Sequence, residues 1–413
     1  MERKEEKMRL NQRKRTMILT ALVLALTLLV GCDATEAWQN AYEEFREARS
    51  LIYVGFSSEE SVTPVDYGEV EDYVSEWSSL RSDTYYSLLS VHEQRIYRLF
   101  EYALDHGHTR IFIDEGLLEQ SERSLWEILQ FFSLDSPFLE QNLSYRTKKA
   151  SYRFTYADEV LEFTRSGKEI VVEAFSSDRL EKKKEALKAA REYVESLPSG
   201  LSEKELAMRF YDDLTARVSY ELYVDRNEAH YLYDAFVTGK TQCDGFANAY
   251  SLLCQLAGVR CFEKNDVSAE GEEGHTWNTV YFDGAWYNVD CALNDAAKKQ
   301  EKENGIRIHF AFSDAFSTVE ATQFQEFLPP CTKNLVEISC TFSSLKDPLL
   351  AKQVKEAFSK TTERYVLICI ESEENWNGWL QRVADELRST VRTVGYIRDG
   401  KQYYYVFAEN GLR

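Results

Sequence analysis

The chain has 413 residues, 44% of them hydrophobic and 29% charged, with 69 Asp and Glu against 49 Lys and Arg for a net charge of −20. An acidic excess of that size excludes a nucleic-acid backbone as partner and disfavours lying flat on an anionic bilayer. It is compatible with cationic substrates but mainly reports solubility. The length allows two to three domains, and no internal repeat or low-complexity tract interrupts it.

Residues 1–16 carry seven basic and three acidic side chains, followed by an uncharged run from Met17 to Gly31. That run is short for a membrane span and fits the h-region of a secretory signal. It ends in Leu29-Val30-Gly31-Cys32, which resembles a bacterial lipobox. The resemblance implies a signal peptide at 1–31, removed in the mature protein, and a lipid on Cys32. An N-terminal transmembrane anchor is the competing reading. Both put the rest of the chain outside the cytoplasm and hold it to the membrane, so the expected location is the extracellular face of a bacterial membrane.

Residues 32–68 read as a stalk and linker, with a polar helical pattern over 34–49. Residues 69–140 read as an N-terminal helical region. Its first helix is expected at 84–104, where Leu88, Leu89, Ile96, Leu99, Phe100 and Ala103 supply an apolar face. A second is expected at 122–132, ended by Asp135-Ser136-Pro137. His106-Gly107-His108 has no third ligand nearby and reads as a helix end or loop.

A core domain is expected over 141–330. Alternating runs predict strands at 143–156, 160–164 and 169–174, with a hairpin turn at Arg165-Ser166-Gly167-Lys168. A charged helix over 179–197 is closed by Pro198, and Ser202 with Glu205 caps the next one. The tyrosine-rich stretch 218–233 includes Tyr231, a candidate substrate contact, although plain aromatic packing is the stronger reading there.

The chemistry concentrates in 241–290. After Gly239, Phe246, Ala247, Tyr250, Cys254 and Leu256 recur at helical spacing, and Gly258 stops the pattern. Thr241 and Asp244 fit a capping box that would put Cys243 in the first turn. There the positive end of the helix dipole favours the thiolate, and unpaired backbone N–H groups could face an oxyanion. A buried structural cysteine is the competing reading, and Cys254 fits it better. Further on, Asp283-Gly284 is a two-residue turn signal between aromatic-rich runs. With that turn Phe282 pairs with Ala285, and Trp277 falls opposite Asp290. His275 then shares the face of Trp277 as a diagonal neighbour of Asp290, within reach of a His–carboxylate hydrogen bond. A slip of one residue would separate them. Between Asp266 and His275, Glu270, Glu272 and Glu273 alternate with Gly271 and Gly274. These carboxylates would favour cationic groups near the site, against the simpler reading of a solvated loop.

Cys243-Asp244-Gly245-Phe246-Ala247, His275-Thr276-Trp277-Asn278 and Trp286-Tyr287-Asn288-Val289-Asp290 resemble the transglutaminase-like superfamily, whose core is similar to papain-type cysteine proteases. The resemblance implies an α+β fold, with a cysteine-bearing helix packed on an antiparallel sheet that carries the histidine and aspartate. It implies Cys243 as nucleophile, His275 as general base and acid, and Asp290 as the orienting carboxylate. Gln242, placed like the residue before the nucleophile in animal transglutaminases, and Trp277 are implied as further substrate contacts. Two positions depart from the family pattern. Asp244 stands where many members have an aromatic residue, and Asp290-Cys291-Ala292 replaces an Asp-x-Thr ending.

Past the triad, 294–304 reads as a polar loop and 308–312 as a strand, and Pro329-Pro330 marks a boundary. The tail, 331–413, reads as a small α/β module: a strand at 365–370, a helix at 376–387, and a hairpin of 390–397 and 402–407 turning at Asp399-Gly400. Beyond Cys32 and Cys243 six cysteines remain, which outside the cell could pair in fifteen ways. No C-x-x-C spacing points to zinc, and no cofactor is expected.

The expected chemistry is thiolate attack on an amide carbonyl to give a thioester. Its resolution by water would make a peptidase or amidase, the favoured reading, acting on protein or peptide, including cell-wall peptide. Resolution by an amine would make a cross-linking transglutaminase. A catalytically silent surface module that binds peptide or wall polymer is the answer from another class.

Overall fold

The computed structural model describes residues 54–57, 62–65, 70, 73, 75, 78–136, 143–156, 159–172, 176–221, 231–266, 274–293, 295–314, 324, 327–371, 375–398 and 401–408. The leader with Cys32, the 34–49 segment, the carboxylates at 270–273 and the Asp399-Gly400 turn lie outside the described residues. Among the described residues no helix is long and apolar enough to cross a membrane.

Two compact units divide the chain, and neither is continuous in sequence. The first takes residues 1–72, 112–119 and 146–169; the second takes 73–111, 120–145 and 170–413. The first is built on a five-stranded sheet of β1 (Val54–Ser57), β2 (Val62–Val65), β3 (Arg110–Asp114), β4 (Leu143–Tyr156) and β5 (Glu159–Val172), in the order β2-β1-β3-β5-β4. Here the expected hairpin turn at 165–168 is wrong, because β5 runs unbroken through it. Gly167 is there for room rather than for a turn. A Cβ on it would stand 2.2 Å from the Ile113 carbonyl oxygen and 2.5 Å from the Phe112 ring.

In the second unit the helix expected over 84–104 is shorter, Val91–Asp105. Ser90 and Glu93 form a capping box that starts it there, and a 3-10 turn, Tyr86–Leu88, precedes it. Ser124 and Glu127 likewise start the next helix at Leu125–Asp135. Ser202 and Glu205 close the expected box ahead of Glu203–Arg217, which follows the helix Ser177–Glu195. Both of these helices pack on the central one, Cys243–Leu256. That helix buries every residue from Gly245 to Cys254. Full burial of a Leu or Phe contributes about 1.5–3 kcal/mol, so Phe246, Leu252 and Leu253 hold the helix in place.

After two short strands, β6 (Ser219–Tyr220) and β7 (Lys240–Thr241), the central sheet is formed by β8 (Cys261–Asn265), β9 (Thr276–Phe282), β10 (Ala285–Val289) and β11 (Phe310–Phe312). Its order is β11-β10-β9-β8, antiparallel throughout, and it supplies the sheet expected beneath the cysteine helix. The Asp283-Gly284 turn has positive φ at both residues, 49° and 75°, as a type I′ hairpin needs. It sets the register Ala285↔Phe282 through Val289↔Asn278, as the turn predicted.

Residues 294–304 were expected as a loop, but Asp295–Asn304 is a helix. Its run of Lys, Gln and Glu has good helix propensity without an apolar stripe, and it is anchored by one buried acid, Glu301. The C-terminal sheet has the order β12-β13-β15-β14, from β12 (Ile338–Phe342), β13 (Tyr365–Ile370), β14 (Val391–Arg398) and β15 (Lys401–Ala408). Strand β12 and the helix Leu350–Phe358 are additions to the expected tail, whose helix is Gly378–Leu387. One face of the sheet packs Val366, Ile368 and Ile370 under the two helices. The other packs Leu367, Cys369, Tyr405 and Phe407 against Ile306, Ile308 and Phe312 of the core domain. The seven described cysteines are all free.

Candidate active site

Three pieces of backbone set the start of the cysteine helix. Gly239, at φ +73°, ends the π-helical turn Asp234–Thr238 in a conformation that glycine adopts at least cost. Strand β7 then pairs in parallel with β6, and the Glu221 N–H donates to the Thr241 carbonyl at 2.9 Å. Gln242 is the N-cap residue, and Cys243 is the first residue of the helix, half-buried. The expected Thr241–Asp244 capping box is not the start of this helix, because the N-cap is Gln242, whose side chain makes no capping bond. Asp244 instead accepts the Thr276 hydroxyl at 2.5 Å.

His275 immediately precedes β9 and Asp290 immediately follows β10. In the observed register they come together: His275 Nε2 and Asp290 Oδ2 are 2.8 Å apart. The second Asp290 oxygen accepts the Ala292 N–H at 2.9 Å, and the Asp290 N–H donates to the His309 carbonyl at 2.9 Å. Cys243 stands beside the His275 ring, close enough to help raise its pKa. With Nε2 engaged by Asp290, Nδ1 is the ring nitrogen left for the thiol. The sequence-derived trio therefore meets as a chain, thiol to imidazole to carboxylate.

Burial works against the imidazolium, but Asp290 and then Cys243 override it and raise His275 to about 11. Burial likewise works against the Asp290 carboxylate, yet His275, His309 and the Ala292 N–H hold it below the usual carboxylate range. Each group stabilises the other's charged form.

The other sequence-derived contacts fare differently. Trp277 lies near His275, with ring centroids 6.0 Å apart, but it is only 5% exposed and gives its indole N–H to Asn288 at 3.2 Å. The indole is thus held by the sheet beside the histidine. Gln242 is half-buried beside Cys243. Tyr231 opens a short helical turn, and its side chain lies outside what the structure describes.

Two supports were missed in the sequence. Asn288 Oδ1 accepts from Lys264 Nζ, Trp277 Nε1 and Thr279 Oγ1 at 3.2–3.3 Å, and its amide donates to the Phe312 carbonyl and to Asp314. Glu301 accepts the Ile308 and His309 N–H groups, the His309 ring and the Tyr211 hydroxyl, fixing the loop whose carbonyl holds Asp290. Both are long-range arrangements of common polar residues, without a local signature.

This fold and the meeting of Cys243, His275 and Asp290 are accompanied by a family match. Residues 189–291 match the model of the Transglutaminase-like superfamily, and the chain therefore carries a transglutaminase-like domain. Kyphoscoliosis peptidase of Mus musculus is 37% identical over 142 residues, 32% of this chain and 20% of that protein. The Homo sapiens protein is 39% identical over 67 residues, 14% and 10% respectively. The chain thus spans a fifth or less of these relatives. Among solved structures, a TGase aligns at 14% identity and TM-score 0.24, over 36% of this chain and 45% of that one. The periplasmic domain of TgpA from Pseudomonas aeruginosa aligns at 10% and 0.20, over 44% and 70%.

Proposed function

We propose that this protein is a membrane-anchored, extracellular cysteine enzyme that cleaves amide bonds of peptides through a thioester on Cys243. The observation that carries the reading is the Cys243–His275–Asp290 chain at the joint of helix and sheet. Thiolate attack on the carbonyl carbon forms a C–S bond and an oxyanion, which the N–H groups of the first helical turn, without acceptors inside the helix, are placed to receive. Protonated His275 gives its proton to the leaving amine, leaving the thioester and a neutral imidazole. His275 then takes a proton from water, whose oxygen attacks the thioester; the C–S bond breaks, the acid leaves, and the thiolate and protonated His275 are restored. An amine in place of water would make the same site a transglutaminase. The lipobox-like end at Cys32 supports the anchor, and the related peptidases support hydrolysis.

The test is labelling of the full chain with an iodoacetamide probe, with and without competing peptides, alongside hydrolysis assays of wild type and Cys243→Ala. Label on Cys243, protection by peptide and loss of hydrolysis in the variant are expected. Retained hydrolysis in Cys243→Ala would overturn the assignment.

A further inference from the structure

The residue after the cysteine and the residue after the histidine are tied to each other. Asp244 Oδ1 accepts the Thr276 hydroxyl at 2.5 Å, across 32 residues of sequence. Asp244 belongs to the first turn of the cysteine helix, and Thr276 opens β9 and is 6% exposed.

This bond is the outermost of three along one line. A turn further into the helix, Asn278 of β9 donates its side-chain amide to the Ala247 carbonyl at 3.0 Å. Beside it, the Asn248 amide, turned so that its nitrogen faces Glu263, donates to both carboxylate oxygens at 3.0 and 3.1 Å. Asp244, Ala247 and Asn248 are spaced i, i+3, i+4 and so share a helix face. Thr276 and Asn278 share a face of β9, and Glu263 pairs directly with Asn278 in the sheet. The helix therefore meets the sheet along a polar seam, with apolar packing to either side.

Apolar contact is non-directional and lets a helix slide along a sheet at little cost. Hydrogen bonds at fixed length and angle do not. Cys243 and Asp244 are consecutive, as are His275 and Thr276, so the offset of helix against strand is also the offset of thiol against imidazole. We propose that Asp244 and Thr276 are a pair of positioning residues that set the Cys243–His275 geometry for reaction. The proposal rests on the reading of Cys243 and His275 as nucleophile and base.

The experiment compares Thr276→Val, which keeps the shape and loses the hydroxyl, with Thr276→Ser, which keeps the hydroxyl and loses a methyl. The readouts, on the full chain with folding checked by thermal melting, are kcat, KM and the rate of Cys243 alkylation by iodoacetamide at neutral pH. Thr276→Val is expected to lower kcat about 10- to 100-fold with KM within about twofold. Its alkylation should slow as the thiol loses its imidazole neighbour. Thr276→Ser should recover most of both. Wild-type kcat and alkylation rate in Thr276→Val would overturn the proposal, and so would equal losses in the two variants, since packing alone would then be responsible. A wild-type protein that lacks both turnover and alkylation of Cys243 would instead overturn the functional reading itself.

Discussion

The Asp290 carboxylate and the His275 imidazole meet at 2.8 Å because two strands joined by the Asp283-Gly284 turn pair in a single register. One oxygen of Asp290 takes the ring and the other takes the Ala292 N–H, so the carboxylate has little freedom to turn. Replacing Asp290 by Asn puts an amide where both oxygens accept. We expect turnover to fall by about 10²- to 10⁴-fold with a much smaller change in KM, read in steady-state kinetics. Equal loss in both parameters would assign Asp290 to substrate binding.

The same pair gives a pH dependence of stability. His275 is raised from about 6.5 to about 11, so its contribution is fully present below its unfolded value and is lost as pH rises toward 11. Wild type should therefore melt higher than Asp290→Asn at pH 7, and the gap should close between pH 7 and 11. A gap that stays constant over that range would mean that His275 is neutral in the folded protein.

A third expectation concerns Asn288, which is fully buried. Asn288→Leu would remove the Asn288 acceptor from Trp277 and Thr279, leave Lys264 with Asp314 as its remaining carboxylate partner, and take a donor from Asp314. Leaving buried donors unsatisfied costs about 1–3 kcal/mol, visible as a lower urea midpoint. An unchanged midpoint would show that water replaces the amide.

Gly167→Ala tests the first unit. Its new Cβ would collide with the Ile113 backbone and the Phe112 ring, so β3 and β5 must separate. A loss of about 1–3 kcal/mol is expected, again by urea unfolding. A neutral substitution would mean that the strands part without cost.

What could be read from the sequence was what is local or periodic. The hairpin register, the helix of Cys243 and the meeting of His275 with Asp290 followed from turn chemistry and alternation. Three errors have physical causes. Gly167 looked like a turn because close backbone approach also demands glycine, and nothing nearby in sequence separates the two uses. Asp295–Asn304 looked like a loop because a helix held by one buried Glu301 shows no apolar stripe. Asp244 looked like half of a capping box because its actual partner, Thr276, is 32 residues away. The family pattern marked Asp244 as unusual, and the structure gives that departure a partner.

The layer shared by Ile306, Ile308 and Phe312 with the underside of the C-terminal sheet bears on how the molecule comes apart. His309 sits within that run and its carbonyl holds the Asp290 N–H. Loosening the tail would expose Ile308 and release the segment that braces Asp290, so heat cannot melt the last eighty or so residues while sparing the triad. Unfolding of this unit should be a single cooperative event, with activity and the tail's secondary structure lost at one temperature.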